Sequence, residues 1–218
     1  MQEEQIIQRI HRCGVVAVLT IDDARHAVPL ARALLAGGVD VMELTLRTPV
    51  ALDALRAVIA QVPQMLAGLG TVLSPQQVSQ VRQAGAAFAV APGLNPRVVQ
   101  AARSEGLFFA PGVVTPSDIE RALEMDCRML KFFPAELSGG LPYLKSIAAP
   151  YAHLGVRFIP LGGVSPANVK AYLAEPLIAA VGGSWLAPKE KVAAEDWDAI
   201  TRLAQEATAL VRQTRPSA

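Results

Sequence analysis

This sequence predicts a parallel α/β fold, a (β/α)8 TIM barrel with an extra N-terminal helix, and three observations predict it. Short apolar runs rich in β-branched residues recur along the chain, each followed by a segment of helical period. Thr48-Pro49, Ser74-Pro75, Asn95-Pro96, Thr115-Pro116 and Ser165-Pro166 punctuate the passage from one to the other. Each pair reads as an N-cap followed by proline in the first helical turn, where the missing N–H costs nothing. Successive pairs lie about 20 to 26 residues apart, with one interval of 50 wide enough for a further unit. That spacing is the length of one strand, loop and helix.

In order, a helix over roughly 2–12 precedes strands near 14–20, 41–47, 65–71, 88–92, 108–114, 128–134, 157–161 and 178–182. Amphipathic helices separate the strands, and a last helix over roughly 195–213 ends in Arg215-Pro216-Ser217-Ala218, which reads as a loose tail. Eight such units in 218 residues suit a small (β/α)8 barrel. An open doubly wound sheet is the competing architecture, but its Gly-x-Gly-x-x-Gly turn after the first strand is absent. Pro29 lies inside the first predicted inter-strand helix, between Asp22 and Gly37, and reads as a kink.

Composition narrows the function. A chain that is 52% hydrophobic can bury one substantial core, so residues 1–218 read as a single domain. Net charge is +1 and the basic residues are scattered, so nucleic acid is not an implied partner. The acidic start, Met1-Gln2-Glu3-Glu4-Gln5, lacks the pattern of a signal peptide, and no apolar run reaches membrane-spanning length. A cytoplasmic protein without a membrane partner is expected. Cys13 and Cys127 lack the spacing of a zinc or redox pair, and His11, His26 and His153 fall away from predicted strand ends. No metal or other cofactor is expected.

Lys131 is the most informative residue. It stands inside Met129-Leu130-Lys131-Phe132-Phe133-Pro134-Ala135, an apolar run that reads as a buried strand. An unpaired ammonium there is costly, so the amine tends to lose its proton and become the nucleophile of a Schiff-base enzyme. The bland alternative is a lysine at a strand end that snorkels to water. Along Val41-Met42-Glu43-Leu44-Thr45-Leu46-Arg47, alternation puts Val41, Glu43, Thr45 and Arg47 on one face. Both faces of a parallel sheet are covered, so Glu43, Thr45 and Arg47 are either catalytic and ligand-binding or the site of a structural Glu43–Arg47 ion pair.

Further candidates stand at the C-terminal ends of strands, where this fold builds its sites. Thr71 ends the Gly68-Leu69-Gly70-Thr71 strand, Pro92 the fourth and Phe133-Pro134 the sixth, with Phe133 on the Lys131 face. Gly162-Gly163 follows strand seven and Gly182-Gly183-Ser184 strand eight. Glycines there allow the backbone to approach a phosphate closely, although a glycine pair is also a common turn.

With these motifs assembled, the chain resembles the class I 2-keto-3-deoxy-6-phosphogluconate (KDPG) and 2-keto-4-hydroxyglutarate (KHG) aldolase family. The similarity rests on Glu-Leu-Thr-Leu-Arg-Thr at 43–48, Gly-Thr-Val-Leu at 70–73, Pro-Gly-Leu at 92–94, Pro-Gly-Val at 111–113 and Lys-Phe-Phe-Pro-Ala-Glu at 131–136. Gly-Gly-Val-Ser-Pro-Ala-Asn at 162–168 and Gly-Gly-Ser-Trp-Leu at 182–186 continue the series in the family's order. The resemblance implies a homotrimeric barrel enzyme that cleaves a 2-keto-3-deoxy phosphosugar acid, KDPG, to pyruvate and glyceraldehyde 3-phosphate. It implies Lys131 as the Schiff-base lysine and Glu43 as the acid/base. Arg47 and Thr71 become carboxylate binders, and Gly162, Gly163, Gly183 and Ser184 phosphate binders. Where members specific for the gluco substrate carry threonine before the Gly-Gly of strand seven, this chain has Leu161. The galacto epimer and 2-keto-4-hydroxyglutarate are therefore alternative substrates. A phosphosugar isomerase or epimerase, and a non-catalytic sensor, are the readings from other classes.

Overall fold

Nine short strands, nearly all of them buried, carry the architecture: β1 (Val15–Leu19), β2 (Val41–Thr45), β3 (Leu66–Gly70), β4 (Phe88–Val90), β5 (Phe108–Ala110), β6 (Gly112–Val113), β7 (Met129–Phe132), β8 (Arg157–Pro160) and β9 (Val181–Gly183). They come from a computed structural model, which describes residues 2–215. Every recorded strand pairing is parallel. Six strands form a curled sheet in the order β5-β4-β3-β2-β1-β9, and three form a second in the order β6-β7-β8. Parallel strands need crossovers, and helices supply them. The crossover helices are α2 (Ala27–Ala36), α3 (Ala51–Gln61), α4 (Pro75–Gln83), α5 (Pro96–Ser104), α6 (Pro116–Glu124), α7 (Gly140–Ala148) and α8 (Val169–Leu173), while α1 (Glu3–Cys13) precedes β1, and α9 (Lys189–Ala193) and α10 (Trp197–Thr214) follow β9.

The expected strand at 108–114 is divided at Pro111, which has no N–H for the ladder, so eight predicted strands become nine segments. Three of the five cap pairs form as read. Ser74, Asn95 and Thr115 accept from the N–H groups of Gln77, Arg97 and Asp118, and a proline follows each inside the helix. Asp118 returns the bond to Thr115, and its carboxyl is held low: burial raises it, but the Val114 N–H, the Thr115 hydroxyl and the Thr115 N–H together outweigh burial.

The other two pairs are not caps. Thr48 donates its hydroxyl to the Ile21 carbonyl at 2.6 Å, and α3 begins only at Ala51. Ser165-Pro166 opens a turn, with the Ser165 N–H donating to Asn168 Oδ1 at 2.8 Å, and α8 starts at Val169. Nor does Pro29 kink a helix. A 3₁₀ turn over Ala24–His26 comes first, so Pro29 is the third residue of α2, where its N–H would have no helical partner.

Buried apolar residues form one cluster extending from Ile6 on α1 to Val211 on α10. Of the expected loose tail, Pro216, Ser217 and Ala218 lie outside the described residues. Arg215 is firmly held instead, donating to the carbonyls of Leu173 at 2.9 Å, Ala179 at 2.9 Å and Ile178 at 2.7 Å. Both cysteines are free, and burial pushes the thiols of Cys13 and Cys127 up, to about 12 and about 11. No helix among the described residues is long and apolar enough to cross a membrane.

Candidate active site

Lys131 lies on β7, hydrogen-bonded through its N–H to the Pro111 carbonyl at 2.9 Å and in register with Gly112 and Ile159. Its neighbours Leu130 and Phe132 are fully buried in the apolar core, so alternation sends the lysine to the other face. There the sequence-based picture of an isolated ammonium fails. Lys131 Nζ donates to Glu43 Oε1 at 3.1 Å, across 88 residues of chain and from one sheet to the other. The residues are 6% and 2% exposed, and Lys131 is the one buried lysine among the described residues.

Glu43 fits because of what its neighbours lack. It is in register with Val18 on β1 and Gly68 on β3, and a Cβ added at Gly70 would land on Glu43 Oε1. Any larger residue at 70 would displace the carboxylate from the amine.

A cavity of about 920 Å³ opens above the pair, and every sequence-predicted site residue lines it: Glu43, Arg47, Thr71, Pro92, Lys131, Phe133, Gly162, Gly163, Gly183 and Ser184. Most come from strand ends or the segments just after them. Phe133 is 36% exposed, with its ring centroid 5.6 Å from Lys131 Nζ, close enough for a cation–π contact. Thr71 has φ 62°, a left-handed conformation unusual for a β-branched residue. Gly162 and Gly163 have φ 92° and 86° in succession. Their N–H groups and that of Val164 make no hydrogen bond to another described residue. That leaves donors for an anion.

Arg47 departs from the strand-face reading, because β2 ends at Thr45 and Arg47 lies in the following turn. It reaches the cavity from there. Its Nε donates to Thr45 Oγ1 at 3.2 Å and its Nη2 to Thr20 Oγ1 at 2.7 Å, while the two threonine hydroxyls meet at 3.0 Å. Glu43 thus pairs with Lys131 and not with Arg47, so the structural Glu43–Arg47 ion pair does not form.

Several cavity residues were not singled out from the sequence. Thr20 follows β1 much as Thr71 follows β3, so the same rule about strand ends would have found it. Lys189 also lines the cavity and lies 3.8 Å from Asp22. Nothing in its sequence context marks it. Among the described residues, no group of three or more His, Cys, Asp or Glu side chains is placed to hold a metal ion.

A carbon–carbon lyase is the class that this architecture and cavity define, since a buried amine beside a carboxylate can draw electrons from a bond next to a ketone. The model of the KDPG and KHG aldolase family matches residues 6–203. The chain belongs to that family. It is 47% identical to the KHG/KDPG aldolase of Escherichia coli K12 over 193 residues, covering 88% of this chain and 90% of that protein. A crystal structure of KDPG aldolase from Legionella pneumophila, with pyruvate captured as a covalent carbinolamine, superposes with a TM-score of 0.88 at 40% identity, covering 92% of this chain and 97% of that one. The KDPG aldolase of Zymomonas mobilis ZM4 with 3-phosphoglycerate also gives 0.88, at 41% identity, with 97% and 99% covered.

Gly70→Ala tests the packing around Glu43. A methyl at the carboxylate's position is expected to destabilise the protein by about 1–3 kcal/mol. Gly93→Ala, whose Cβ would meet nothing within 4 Å, is expected to be neutral. Urea denaturation of both variants is the measurement, and equal midpoints would show that the carboxylate can move aside freely.

Proposed function

We propose that this chain is a class I aldolase that cleaves 2-keto-3-deoxy-6-phosphogluconate to pyruvate and glyceraldehyde 3-phosphate. The observation that carries the reading is the 3.1 Å contact between Lys131 Nζ and Glu43 Oε1 at the floor of the cavity. The Legionella relative's covalent carbinolamine with pyruvate supports an amine mechanism.

In this reading the Lys131 amine attacks the C2 ketone, and loss of water leaves a cationic imine that accepts electrons. Glu43, directly or through a water, takes the C4 hydroxyl proton as the C3–C4 bond breaks. The resulting enamine is reprotonated at C3, and water then releases pyruvate. Arg47, held by Thr20 and Thr45, binds the carboxylate together with Thr71, while Pro92 and Phe133 wall the ketone. The N–H groups at Gly162 and Gly163, with Gly183 and Ser184, receive the phosphate, so the scissile bond is positioned from both ends. The chemistry needs no cofactor.

The same proposal takes the two sheets as one closed (β/α)8 barrel and residues 1–218 as one domain. In support, β5 and β6 are separated only by Pro111. A parallel bridge joins Phe158 to Ile178, with the Phe158 N–H donating to Leu177 O at 2.9 Å and the Ala179 N–H to Phe158 O at 2.8 Å. A cytoplasmic homotrimer is the assembly the family resemblance implies. Leu73 and Leu137, 52% and 92% exposed, are apolar surface that association would cover.

Borohydride trapping with pyruvate tests the core of the proposal. Mass spectrometry is expected to find the adduct on the peptide holding Lys131, and an adduct elsewhere, or none, would sink the assignment. The two charged residues of the 41–47 segment are expected to fail differently. Glu43→Gln lowers kcat by about 10²- to 10⁴-fold with little change in binding, whereas Arg47→Ala chiefly raises the KM for pyruvate and for intact substrate. Full activity in the folded fraction of both variants would leave only a structural role.

Leu161 is 5% exposed and lines the cavity, presenting an alkyl group where a hydroxyl would read the substrate's stereochemistry. Wild-type enzyme is expected to cleave the gluco substrate and to turn over the galacto epimer measurably. Leu161→Thr is expected to shift the kcat/KM ratio toward gluco by about 1 kcal/mol, or roughly fivefold. An unchanged ratio would place discrimination elsewhere in the cavity.

A further inference from the structure

Glu136 does not line the cavity, yet the glycine turn that does is built against it. Two backbone bonds join the segment after β7 to the segment after β8. The Ala135 N–H donates to Leu161 O at 2.7 Å, and the Glu136 N–H to Gly162 O at 3.0 Å. Gly163, at φ 86°, then passes so close that a Cβ there would stand 2.6 Å from Glu136 Cβ and 2.7 Å from its Cγ. The turn therefore rests on the stem of the Glu136 side chain.

The carboxylate at the end of that stem is held from below. Glu136 Oε1 accepts a hydrogen bond from the hydroxyl of Tyr172, a residue of α8 that is 1% exposed. Burial and this carboxylate both push the phenol's pKa up, so it remains a donor at any working pH. Across the turn, Asn168 Nδ2 donates to Gly163 O at 3.2 Å while its Oδ1 takes the Ser165 N–H. The turn is thus gripped on one side by the lysine-bearing segment and on the other by the entry to α8.

We propose that Glu136 is a positioning residue, locked by Tyr172, that fixes the height of the Gly162–Gly163 turn relative to Lys131. The inference rests on the aldolase reading above, in which that turn binds the substrate phosphate. Lys131 and Glu136 are separated by a short stretch of one chain. The distance between the imine and the phosphate cradle is then set within a single segment, and a small misplacement of either end is expected to cost catalysis steeply. Pyruvate alone engages only the lysine end.

Two reactions separate positioning from general damage. Exchange of the pyruvate methyl protons for deuterium uses the imine and its acid/base but no phosphate, whereas cleavage of the phosphorylated substrate uses both ends. In the full-length protein, Tyr172→Phe and Glu136→Ala are expected to lower kcat/KM for cleavage about tenfold, mainly through KM, with pyruvate exchange within twofold of wild type. Glu136→Gln, whose amide oxygen can still accept from Tyr172, is expected to restore cleavage to within threefold. Thermal melts monitored by circular dichroism identify any variant that fails to fold, and Glu136→Gln then carries the comparison with wild type. The proposal is overturned if exchange and cleavage fall together, if cleavage is untouched, or if Glu136→Gln is no better than Glu136→Ala. Wild-type enzyme that neither exchanges nor cleaves would instead overturn the aldolase reading itself.

Discussion

The buried contact between Lys131 and Glu43 is the constraint around which the rest of the structure is arranged. It joins the six-stranded sheet to the three-stranded one, so both sheets must curl until β2 and β7 face each other. Stability offers no reason for it. Replacing a buried ion pair with apolar side chains of similar volume is often neutral or favourable, whereas removing one partner costs about 3–5 kcal/mol. In the proposed function, a pair of that kind, adding little to stability and hazardous to break, serves the chemistry an amine and a carboxylate perform together. The apolar floor beneath it, with Ile10 of α1 beside Phe88, Phe108 and Ile159, keeps water from weakening that interaction.

Above the pair, order comes from hydroxyls and glycines more than from charge. Arg47 is exposed and on its own would sample many rotamers, yet two threonines at the ends of adjacent parallel strands take up its Nε and one Nη. In the proposed function the remaining guanidinium donors take the substrate carboxylate, and much of the entropy of fixing the side chain is met before the substrate arrives. On that reading the glycine turn follows the same logic with backbone N–H groups, which cannot swing away as a lysine can.

Much of this was legible in the sequence because parallel strands are buried on both faces and so read as near-continuous apolar runs. Polar residues inside such runs, Glu43 and Lys131 above all, therefore stood out. What could not be read was decided by distant contacts. That Lys131 is paired depends on a strand 88 residues away. Thr48-Pro49 has the local chemistry of a cap, but the Ile21 carbonyl claims the threonine hydroxyl. Ser165-Pro166 likewise yields to the Asn168 side chain. Pro29 was misplaced because nothing local announces the 3₁₀ turn at Ala24–His26 that resets where α2 begins. Arg47 escaped the alternation rule because strand pairing stops two residues earlier, at Thr45.

The vacancy at Gly70 bears on how such a site could be transplanted. The buried pair is a motif of three positions on three strands, Glu43 on β2, Gly70 on β3 and Lys131 on β7, and one of the three contributes only the room it leaves. A search for the motif by side-chain chemistry would find two members and miss the third. Grafting the lysine and the glutamate onto another parallel scaffold would then reproduce the ingredients without the geometry, unless the neighbouring strand were emptied at the matching level. In a close-packed interior, an absent side chain is as much a part of the design as a present one.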